Sequence, residues 1–403
     1  MIKKILSSVT VLLLLLVLVA CNNTPDGLVI SKLYTASTQS NNIIELYNNS
    51  DKDLKLDKYT IDIYGNGAKE ISETISLSGT IKANDYFVIA GNNVDTSLVT
   101  ETIDVTYDAN LPFNGNDAIQ LSKGKNAIDV VGIIGFDLDF SINSTLIRLG
   151  EKEDYIAQVE YERYNFINYV PDLFEYLRND NHEIKTLNDL LSGPMLEQRY
   201  KDMPFLDPQN ASMGFGGTVK VDSYSPGDGD TSFFTTSEVE GIDGSFRYYY
   251  IDTPEVDGPH VSAEPWGYVA SKYNKEYKLP GSSQDVYLQS IPGISTTDTH
   301  DRGLGLVWIN DYLAQFLVVS EGLSTPVSAS LSRTDIQLAY KNVPYLTFMQ
   351  FAEQRARENG WGMYGFPMKE DGEKSPDWNY QANRNTTTDP QWTPHLPMPW
   401  DNE

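Results

Sequence analysis

The amino-acid sequence predicts a multidomain protein with an all-β sandwich, a helical connector and a C-terminal α+β domain. Three observations favour this fold class. The chain has 403 residues, enough for two or three domains. From residue 28 to 150, short apolar runs alternate with clusters of Asn, Asp and Gly, a pattern typical of strands joined by turns. Beyond residue 150 the pattern becomes helical, and from residue 217 strand-like and helix-like runs are mixed.

Residues 1–21 have the features of a targeting segment. An unbroken apolar run, Val11–Ala20, follows two lysines and is too short for an ordinary membrane span. It ends directly before Cys21, in the sequence Leu-Val-Ala-Cys, which resembles the lipobox of bacterial lipoproteins; Cys21 is the sole cysteine. The resemblance implies cleavage before Cys21, lipidation of its thiol and a lipid-anchored protein on the extracellular face of the bacterial membrane. The alternative is an ordinary transmembrane anchor.

Residues 22–150 predict the β-sandwich. Its strands are expected at residues 28–34, 42–47, 59–64, 86–90, 118–121 and 127–132. The runs Ile44–Asn48, Leu54–Leu56 and Phe113–Leu121 resemble the lamin-tail domain, and this resemblance implies an immunoglobulin-like sandwich whose ligand is unknown. Glu45 and Asp129 are candidate metal ligands here. The favoured interpretation is that both are exposed carboxylates at strand edges.

Residues 151–213 predict a helical connector. The runs 154–163 and 171–178 suit helices, and the second has a proline at its first turn. Thr186 and Asp189 mark a capped helix start before two leucines. The last segment, residues 366–403, is rich in Pro, Asp, Asn and Thr with isolated tryptophans. We expect it to be a disordered tail. The alternative is that its tryptophans dock on the folded domain or on a partner.

Residues 214–365 hold the motifs that carry chemistry. An acidic turn, Gly227–Thr231, comes first. The strand-like run Phe246–Ile251 then leads into Asp252-Thr-Pro-Glu255, where Pro254 cannot donate to a sheet and ends the strand. A second placed arginine lies in Thr297–Leu304. Two carboxylates, a hydroxyl and an upstream guanidinium at one strand end indicate a site for a cation together with an anion.

The order and spacing of these pieces over residues 217–365 resemble the staphylococcal-nuclease (thermonuclease) family. The resemblance implies an OB-fold barrel and a Ca²⁺-dependent phosphodiesterase acting on DNA or RNA. It further implies roles for six residues: Asp230, Asp252 and the backbone carbonyl of Thr253 would hold Ca²⁺, Glu255 would handle the attacking water, and Arg247 and Arg302 would bind the phosphate.

Two features differ from the pattern of the family. His300 and Asp301 precede Arg302, where an aromatic residue followed by glycine is usual, so Asp301 is expected to weaken the phosphate clamp. Tyr340 and Tyr345 lie where the family often stacks a base on tyrosine, but core or surface positions are the favoured interpretation.

The charge balance opposes nucleic-acid binding. Lys and Arg number 30 against 56 Asp and Glu, so the formal net charge is −26. Phosphate contacts normally need basic surface, and long-range attraction of DNA should be poor. Two hypotheses therefore stand: a surface-anchored nuclease, or a non-catalytic surface lipoprotein that uses the sandwich and a decayed nuclease barrel for binding or adhesion.

Overall fold

A computed structural model describes residues 27–239, 242–258, 262–264, 266–280, 284–326, 337–365 and 392–402. The chain divides into two compact units. The first comprises residues up to Phe166 together with Asp172–Asn181, and the second comprises Ile167–Pro171 and the residues from His182 onward. The predicted targeting segment and Cys21 lie outside the described residues. Among those described, no helix is both long and apolar enough to cross a bilayer.

The first unit is built from short strands, most of which pair antiparallel. They are β1 (Leu28–Thr35), β2 (Ile43–Asn48), β3 (Leu54–Lys55), β4 (Tyr59–Tyr64), β5 (Glu73–Ser76), β6 (Thr80–Ile81), β7 (Tyr86–Gly91), β8 (Val105–Tyr107), β9 (Ala118–Lys123), β10 (Asn126–Val131) and β11 (Ser144–Arg148). One sheet contains β11-β1-β2-β7-β8 and the other β10-β9-β4-β5. The exception to antiparallel pairing is β7 and β8, which are parallel. The six predicted strands are all present.

The two sheets bury a common core. Ile30 and Leu46 from the first sheet belong to the same buried cluster as Ile61, Ile119 and Leu121 from the second. Side chains alternate between the faces of a strand, so each strand contributes every second residue to this layer. Burying such apolar surface stabilises a sandwich by about 25 cal/mol per Å². The N-terminal prediction of an immunoglobulin-like sandwich fits this arrangement.

The expectation for Glu45 and Asp129 is wrong, because neither carboxylate is exposed. Glu45 lies directly opposite Lys32 in the β1–β2 pair, and its Oε1 is 2.6 Å from Lys32 Nζ. Asp129 pairs with the Arg148 guanidinium and accepts the backbone N–H of Ile30. Glu45, Asp129 and Arg148 are all buried. Both carboxylates are therefore structural, since removing either would leave a buried unpaired charge.

The predicted helix over 154–163 is absent. Irregular chain runs between two 3₁₀ turns, Lys152–Asp154 and Arg163–Asn165. The backbone groups that a helix would pair internally are bound elsewhere: Gln158 N–H donates to Asp129, and the Ile156 carbonyl accepts from Arg148. Residues 171–178 likewise contain only the 3₁₀ turn Phe174–Tyr176. Tertiary hydrogen bonds override the local helical pattern here.

The strands of the second unit are mostly short. They are β13 (Leu206–Asp207), β14 (Asn210–Gly214), β15 (Thr218–Lys220), β16 (Ser223–Pro226), β17 (Thr231–Thr235), β18 (Gly244–Tyr248), β19 (Ile251–Asp252), β20 (Val286–Gln289), β21 (Gly303–Ile309), β22 (Tyr312–Leu313), β23 (Thr325–Pro326), β24 (Ala339–Tyr340) and β25 (Val343–Pro344). Strand β12 (Phe166–Tyr169) has its first residue in the other unit.

Five helices accompany these strands in the described residues. They are α1 (Leu187–Leu191), α2 (Gln198–Lys201), α3 (Gly267–Lys272), α4 (Ala314–Ser320) and α5 (Tyr345–Asn359), with a π-helical segment, Tyr273–Lys278, continuing α3. Thr186 caps α1 as predicted, because its side chain accepts the Asp189 N–H and Asp189 bonds back to it. The helix-like runs that the sequence mixes with strand-like runs from residue 217 onward include α3, α4 and α5.

The main sheet of this unit has the order β15-β20-β21-β18-β17-β16, and β22 also pairs with β21. Strands β18 and β21 are parallel, with Arg247 opposite Leu304. The hydrogen-bonded order has two ends, so the described residues do not form a closed barrel. The two end strands, β15 and β16, are nevertheless consecutive in the chain. In the segment that joins them, Val221 N–H donates to the Val286 carbonyl of β20, and Asp222 N–H donates to the Thr235 carbonyl of β17.

Residues 392–402, which the sequence places in a disordered tail, are packed against the second unit. Trp392 is buried and lies edge-on to Tyr273 and Tyr277. The buried Glu321 carboxylate accepts the backbone N–H groups of His395 and Leu396, both at 2.8 Å. The favoured prediction of a disordered tail is wrong for these residues, and the alternative that the tryptophans dock on the folded domain holds for Trp392. Isolated aromatic residues give no periodic signal that would decide between the two. The preceding part of the predicted tail, residues 366–391, lies outside the described residues.

Candidate functional site

The strand that was predicted to run from Phe246 to Ile251 is interrupted before its end. Strand β18 stops at Tyr248, and Tyr250 adopts a left-handed conformation with φ 75°. This conformation is costly for a bulky side chain. It turns the chain so that the short strand β19, Ile251–Asp252, pairs with β23 instead. The break brings Asp252 back toward the Arg247 side chain.

Arg247 lies between the two carboxylates that were predicted to hold a metal. One guanidinium nitrogen, Nη1, pairs with Asp230, and the other, Nη2, pairs with Asp252. Asp230 is almost fully buried, whereas the Asp252 side chain is 71% exposed. A buried carboxylate needs a partner charge, and Arg247 provides it. The exposed side of Asp252 leaves this cluster open to solvent and to a ligand.

Asp230 also fixes the chain that follows Asp252. Its Oδ2 accepts the Thr253 backbone N–H at 2.7 Å and the Thr253 hydroxyl at 2.9 Å. The turn that carries Asp230 can approach because Gly229 has no side chain: a Cβ there would lie 2.6 Å from Thr253 Oγ1 and 2.7 Å from the Ala270 Cβ. Gly229 and the small side chain of Ala270 therefore let the acidic turn pack closely on α3.

Glu255 lies at the edge of this cluster. Its backbone is held by Glu264, which accepts the Glu255 N–H at 3.2 Å and donates its own N–H to the Glu255 carbonyl. Burial raises the pKa of Glu255; Asp228, Asp252 and Glu264 raise it further, and Arg247 lowers it. The net shift is upward. A carboxyl group that holds its proton more tightly is suited to acid–base work, because its pKa lies closer to neutral pH.

Arg302 precedes β21, and its guanidinium is bound by Asp298, which was not predicted to belong to the site. Asp298 Oδ2 accepts Nε and Nη2 of Arg302 at 2.8 and 2.7 Å. Asp301, which was expected to weaken the clamp, is exposed and has a left-handed backbone. The spacing of Asp298 and Arg302, four residues apart around a tight turn, is the signal that could have identified this pair.

The chemistry of the donor set fits a hard cation such as Ca²⁺. Carboxylate and carbonyl oxygens are its preferred ligands. In this structure, however, both oxygens of Asp230 are already used: Oδ1 by Arg247 and Oδ2 by Thr253. Within the described ranges, no group of three or more acidic, histidine or cysteine side chains is arranged to hold a metal. A cation would therefore need the Arg247 guanidinium to move off Asp230.

The remaining aromatic candidates pack against neighbouring rings, Tyr345 in the core and Tyr340 at a half-buried position. Tyr345 is fully buried at the start of α5, where its ring is 5.1 Å from that of Trp308. Tyr340 lies in β24 and packs on Phe348. The favoured sequence interpretation, that neither stacks a base at the site, is consistent with these positions. The structure thus brings together Asp230, Arg247, Asp252 and Thr253, with Glu255 beside them, while the Arg302 guanidinium is paired separately.

Comparison with known proteins gives two findings. The family model of the Lamin Tail Domain matches residues 22–135. Over 97 residues the chain is 30% identical to the thermonuclease of Staphylococcus intermedius, and this match covers 24% of the chain and 53% of that relative. The chain thus spans about half the length of the curated relative that it matches. The lamin-tail resemblance is confirmed for residues 22–135, and the chain has a distant similarity to a thermonuclease over 97 residues.

Proposed function

We propose that the second unit is a calcium-dependent nuclease that hydrolyses phosphodiester bonds in extracellular DNA or RNA. The observation that carries the proposal is the cluster at the end of β18, where Arg247 contacts Asp230 and Asp252 beside the raised-pKa carboxyl of Glu255. A structural ion pair would need one carboxylate for one arginine. Here the same guanidinium also pairs with a second, exposed carboxylate and acts electrostatically on Glu255, whose pKa is raised.

The residues have distinct roles in this proposal. Asp230, Asp252 and the Thr253 carbonyl would hold Ca²⁺, which would supply positive charge to the phosphate and to a bound water. Arg247, displaced from Asp230, would then be free to donate to a phosphate oxygen. Arg302 would bind a second phosphate oxygen, because charge-assisted bonds to a planar guanidinium suit an oxyanion. Glu255 would orient the attacking water and take its proton.

An OB-fold barrel remains our interpretation of the second unit. Its support is the switch of hydrogen-bond partner between Val221, bound to β20, and Asp222, bound to β17. In a small barrel, one bent strand typically pairs with both neighbours in this way and so joins the two edges of the sheet. The domain division into 22–150, 151–213, 214–365 and 366–403 likewise stays a prediction.

Lipid attachment through Cys21 would place this nuclease on the extracellular face of the bacterial membrane. The support is the apolar run that ends at the chain's sole cysteine. Metabolic labelling with a fatty acid tests the proposal: the wild-type protein should carry label and sediment with membranes. Cys21→Ser should lose the label and appear in the soluble fraction.

A second candidate function is supported by the net charge of −26, which opposes binding to a polyanion. In this alternative, the lamin-tail-like sandwich and the second unit bind a surface partner without catalysis. The two hypotheses differ in their dependence on Glu255, because adhesion does not need a group that moves a proton.

The deciding experiment measures cleavage of short single-stranded DNA with Ca²⁺ or with EDTA. Wild-type protein should cleave only with Ca²⁺. Glu255→Gln should lower kcat by roughly 10²-fold or more, the scale expected for a positioned acid–base group. Glu358→Gln, the same change on the exposed face of α5, is the matched control and should leave kcat unchanged. No Ca²⁺-dependent cleavage by folded wild-type protein would reject the nuclease and favour the adhesion protein.

A further inference from the structure

Phe233 is the exposed aromatic residue nearest in sequence to the acidic turn of the site, and half of its surface is accessible. The neighbouring residues of β17 explain its orientation. Ser232 and Phe234 point inward, where Phe234 packs on Phe246 and the Ser232 hydroxyl meets that of Tyr248. Because side chains alternate along a strand, Phe233 points outward. The core does not need this ring in its present position.

The cross-strand register places Phe233 on the same face of the sheet as Arg247. Thr231 is opposite Arg247, and Phe233 is opposite Ser245. On the other side of β18, Phe246 is opposite Gly303. Arg302 directly precedes Gly303, so extending this register by one residue beyond the start of β21 puts its backbone next to Ser245. Phe233 and Ser245 then form one row across β17 and β18 that leads to Arg302, about 10 Å from end to end at the usual strand spacing.

The small residue in the middle of this row leaves a gap. Ser245 separates the ring of Phe233 from the backbone of Arg302, and nothing larger stands between them on that row. The Phe233 ring also extends toward the acidic turn: a Cβ on Gly227 would lie 3.6 Å from Phe233 Cε2. The ring therefore borders the same turn that carries Asp230. If the two arginines bind a phosphate of a DNA or RNA strand, the neighbouring nucleotide would lie above Ser245.

We propose that Phe233 is a substrate-binding residue that stacks on a base flanking the phosphate bound by Arg247 and Arg302. This inference rests on the proposed nuclease function and names how its substrate is held. Stacking on an aromatic ring accepts any base, because every base has a π-face. It also solves a physical problem of this chain, because stacking does not depend on net positive charge and so can offset the repulsion from an acidic surface.

The test measures the affinity of the full chain for two labelled oligonucleotides by fluorescence anisotropy in Ca²⁺. One is a short thymidine strand, and the other has the same phosphates but abasic sugars at the positions flanking the central one. The measurements use a Glu255→Gln background to slow cleavage. Phe233→Ala should raise Kd for the thymidine strand roughly tenfold, within the range for loss of one stacked base, and should leave Kd for the abasic strand unchanged.

Three further variants make the result specific. Phe233→Tyr keeps a ring and should bind within about twofold of the parent protein. Ser245→Leu leaves Phe233 intact but fills the gap, and should weaken thymidine binding as Phe233→Ala does. Phe215→Ala removes another exposed ring of the same unit, outside this row, and should change nothing. Thermal melting of each variant checks that the fold is retained.

The outcomes separate this inference from the proposed function. If wild-type protein cleaves DNA but Phe233→Ala binds the thymidine strand like its parent, the subsite is overturned and the nuclease stands. Equal losses on thymidine and abasic strands also overturn it, since stacking requires a base. Base-dependent binding through Phe233 without any cleavage would support the subsite and reject catalysis. Absence of both binding and cleavage would reject both.

Discussion

Asp298 holds Arg302 through the side chain and the backbone together. Its Oδ2 accepts Nε and Nη2 of the guanidinium, and its Oδ1 accepts the Arg302 backbone N–H at 3.0 Å. The same Oδ1 accepts the His300 N–H at 2.9 Å. Burial raises the pKa of Asp298, but the bonds from Arg302 and His300 outweigh it and the pKa lies below its ordinary value. Asp298 is thus ionised at neutral pH and orients the arginine.

Asp298→Asn should therefore reduce phosphate clamping. It keeps one oxygen for the backbone bonds but removes the charge that holds the guanidinium, so kcat/KM should fall roughly tenfold, about 1.4 kcal/mol of barrier. Asp301→Asn removes the same charge three residues later from an exposed position and is the matched control. Steady-state cleavage of short DNA measures both. If both substitutions lowered kcat/KM equally, the loss of a negative charge, and not the orientation of the Arg302 guanidinium, would explain the effect.

Asp228 should set the acid limb of the activity profile. The pKa of Glu255 is raised first by burial and next by Asp228. If deprotonated Glu255 is the active form, kcat/KM should rise with pH through a pKa above the ordinary value of a glutamate. Asp228→Asn removes a neighbouring negative charge, so the limb should move to lower pH. Asp301→Asn should leave it in place, and an unmoved limb in Asp228→Asn would exclude Glu255 as the titrating group.

Local sequence patterns predicted those parts of the fold that local physics decides. The strands around Ile44 and Ile119 are short apolar runs between clusters of polar turn residues, and their existence follows from that pattern. Ion pairs across strands do not follow from it: Lys32 and Glu45 are 13 residues apart in the chain but directly opposite in the sheet. Two isolated charged residues look solvent-exposed in sequence, and only the register shows that they are buried together.

The candidate site was predictable to a similar extent. The motif placed Asp230, Arg247 and Asp252 near each other, because its residues define a turn and a strand end. It did not predict that Arg247 would bind both carboxylates, since this depends on the left-handed turn at Tyr250. Nor did it identify Asp298, whose role comes from a loop that folds back on Arg302. A local sequence motif does not specify long-range contacts or the geometry of a loop.

Trp392 should anchor the C-terminal segment. Its ring is buried against Tyr273 and Tyr277, and Lys272 Nζ donates to its carbonyl at 3.2 Å. Trp392→Ala should lower the free energy of unfolding by about 3 kcal/mol, the lower end of the range for a buried large aromatic residue. Trp400→Ala, at a partly exposed ring near Tyr312, should cost less. Chemical denaturation measures both, and equal costs would contradict the anchor.

Lys278 is a buried lysine that faces an aromatic ring. Its Nζ is 4.6 Å from the centre of the Tyr248 ring and has no hydrogen-bond partner in the described part of the chain. Burial lowers the pKa of Lys278 to about 7, although the Asp228 carboxylate raises it. A lysine in the unfolded chain has its usual pKa near 10.4. The unfolded state therefore binds a proton that the folded state does not hold, throughout the interval between these two values.

Stability should accordingly rise with pH from about 7 to about 10, by at most about 1.4 kcal/mol per unit from this group. The free energy of unfolding rises with pH because the unfolded state binds more protons, so raising the pH destabilises it relative to the folded state. Lys278→Met keeps a long apolar side chain and removes the titration, so it should raise stability at pH 7 and flatten the slope. Lys275→Met, on an exposed side chain of the same segment, is the control. Denaturant unfolding at several pH values measures the slope, and a wild-type slope retained in Lys278→Met would show that another group titrates.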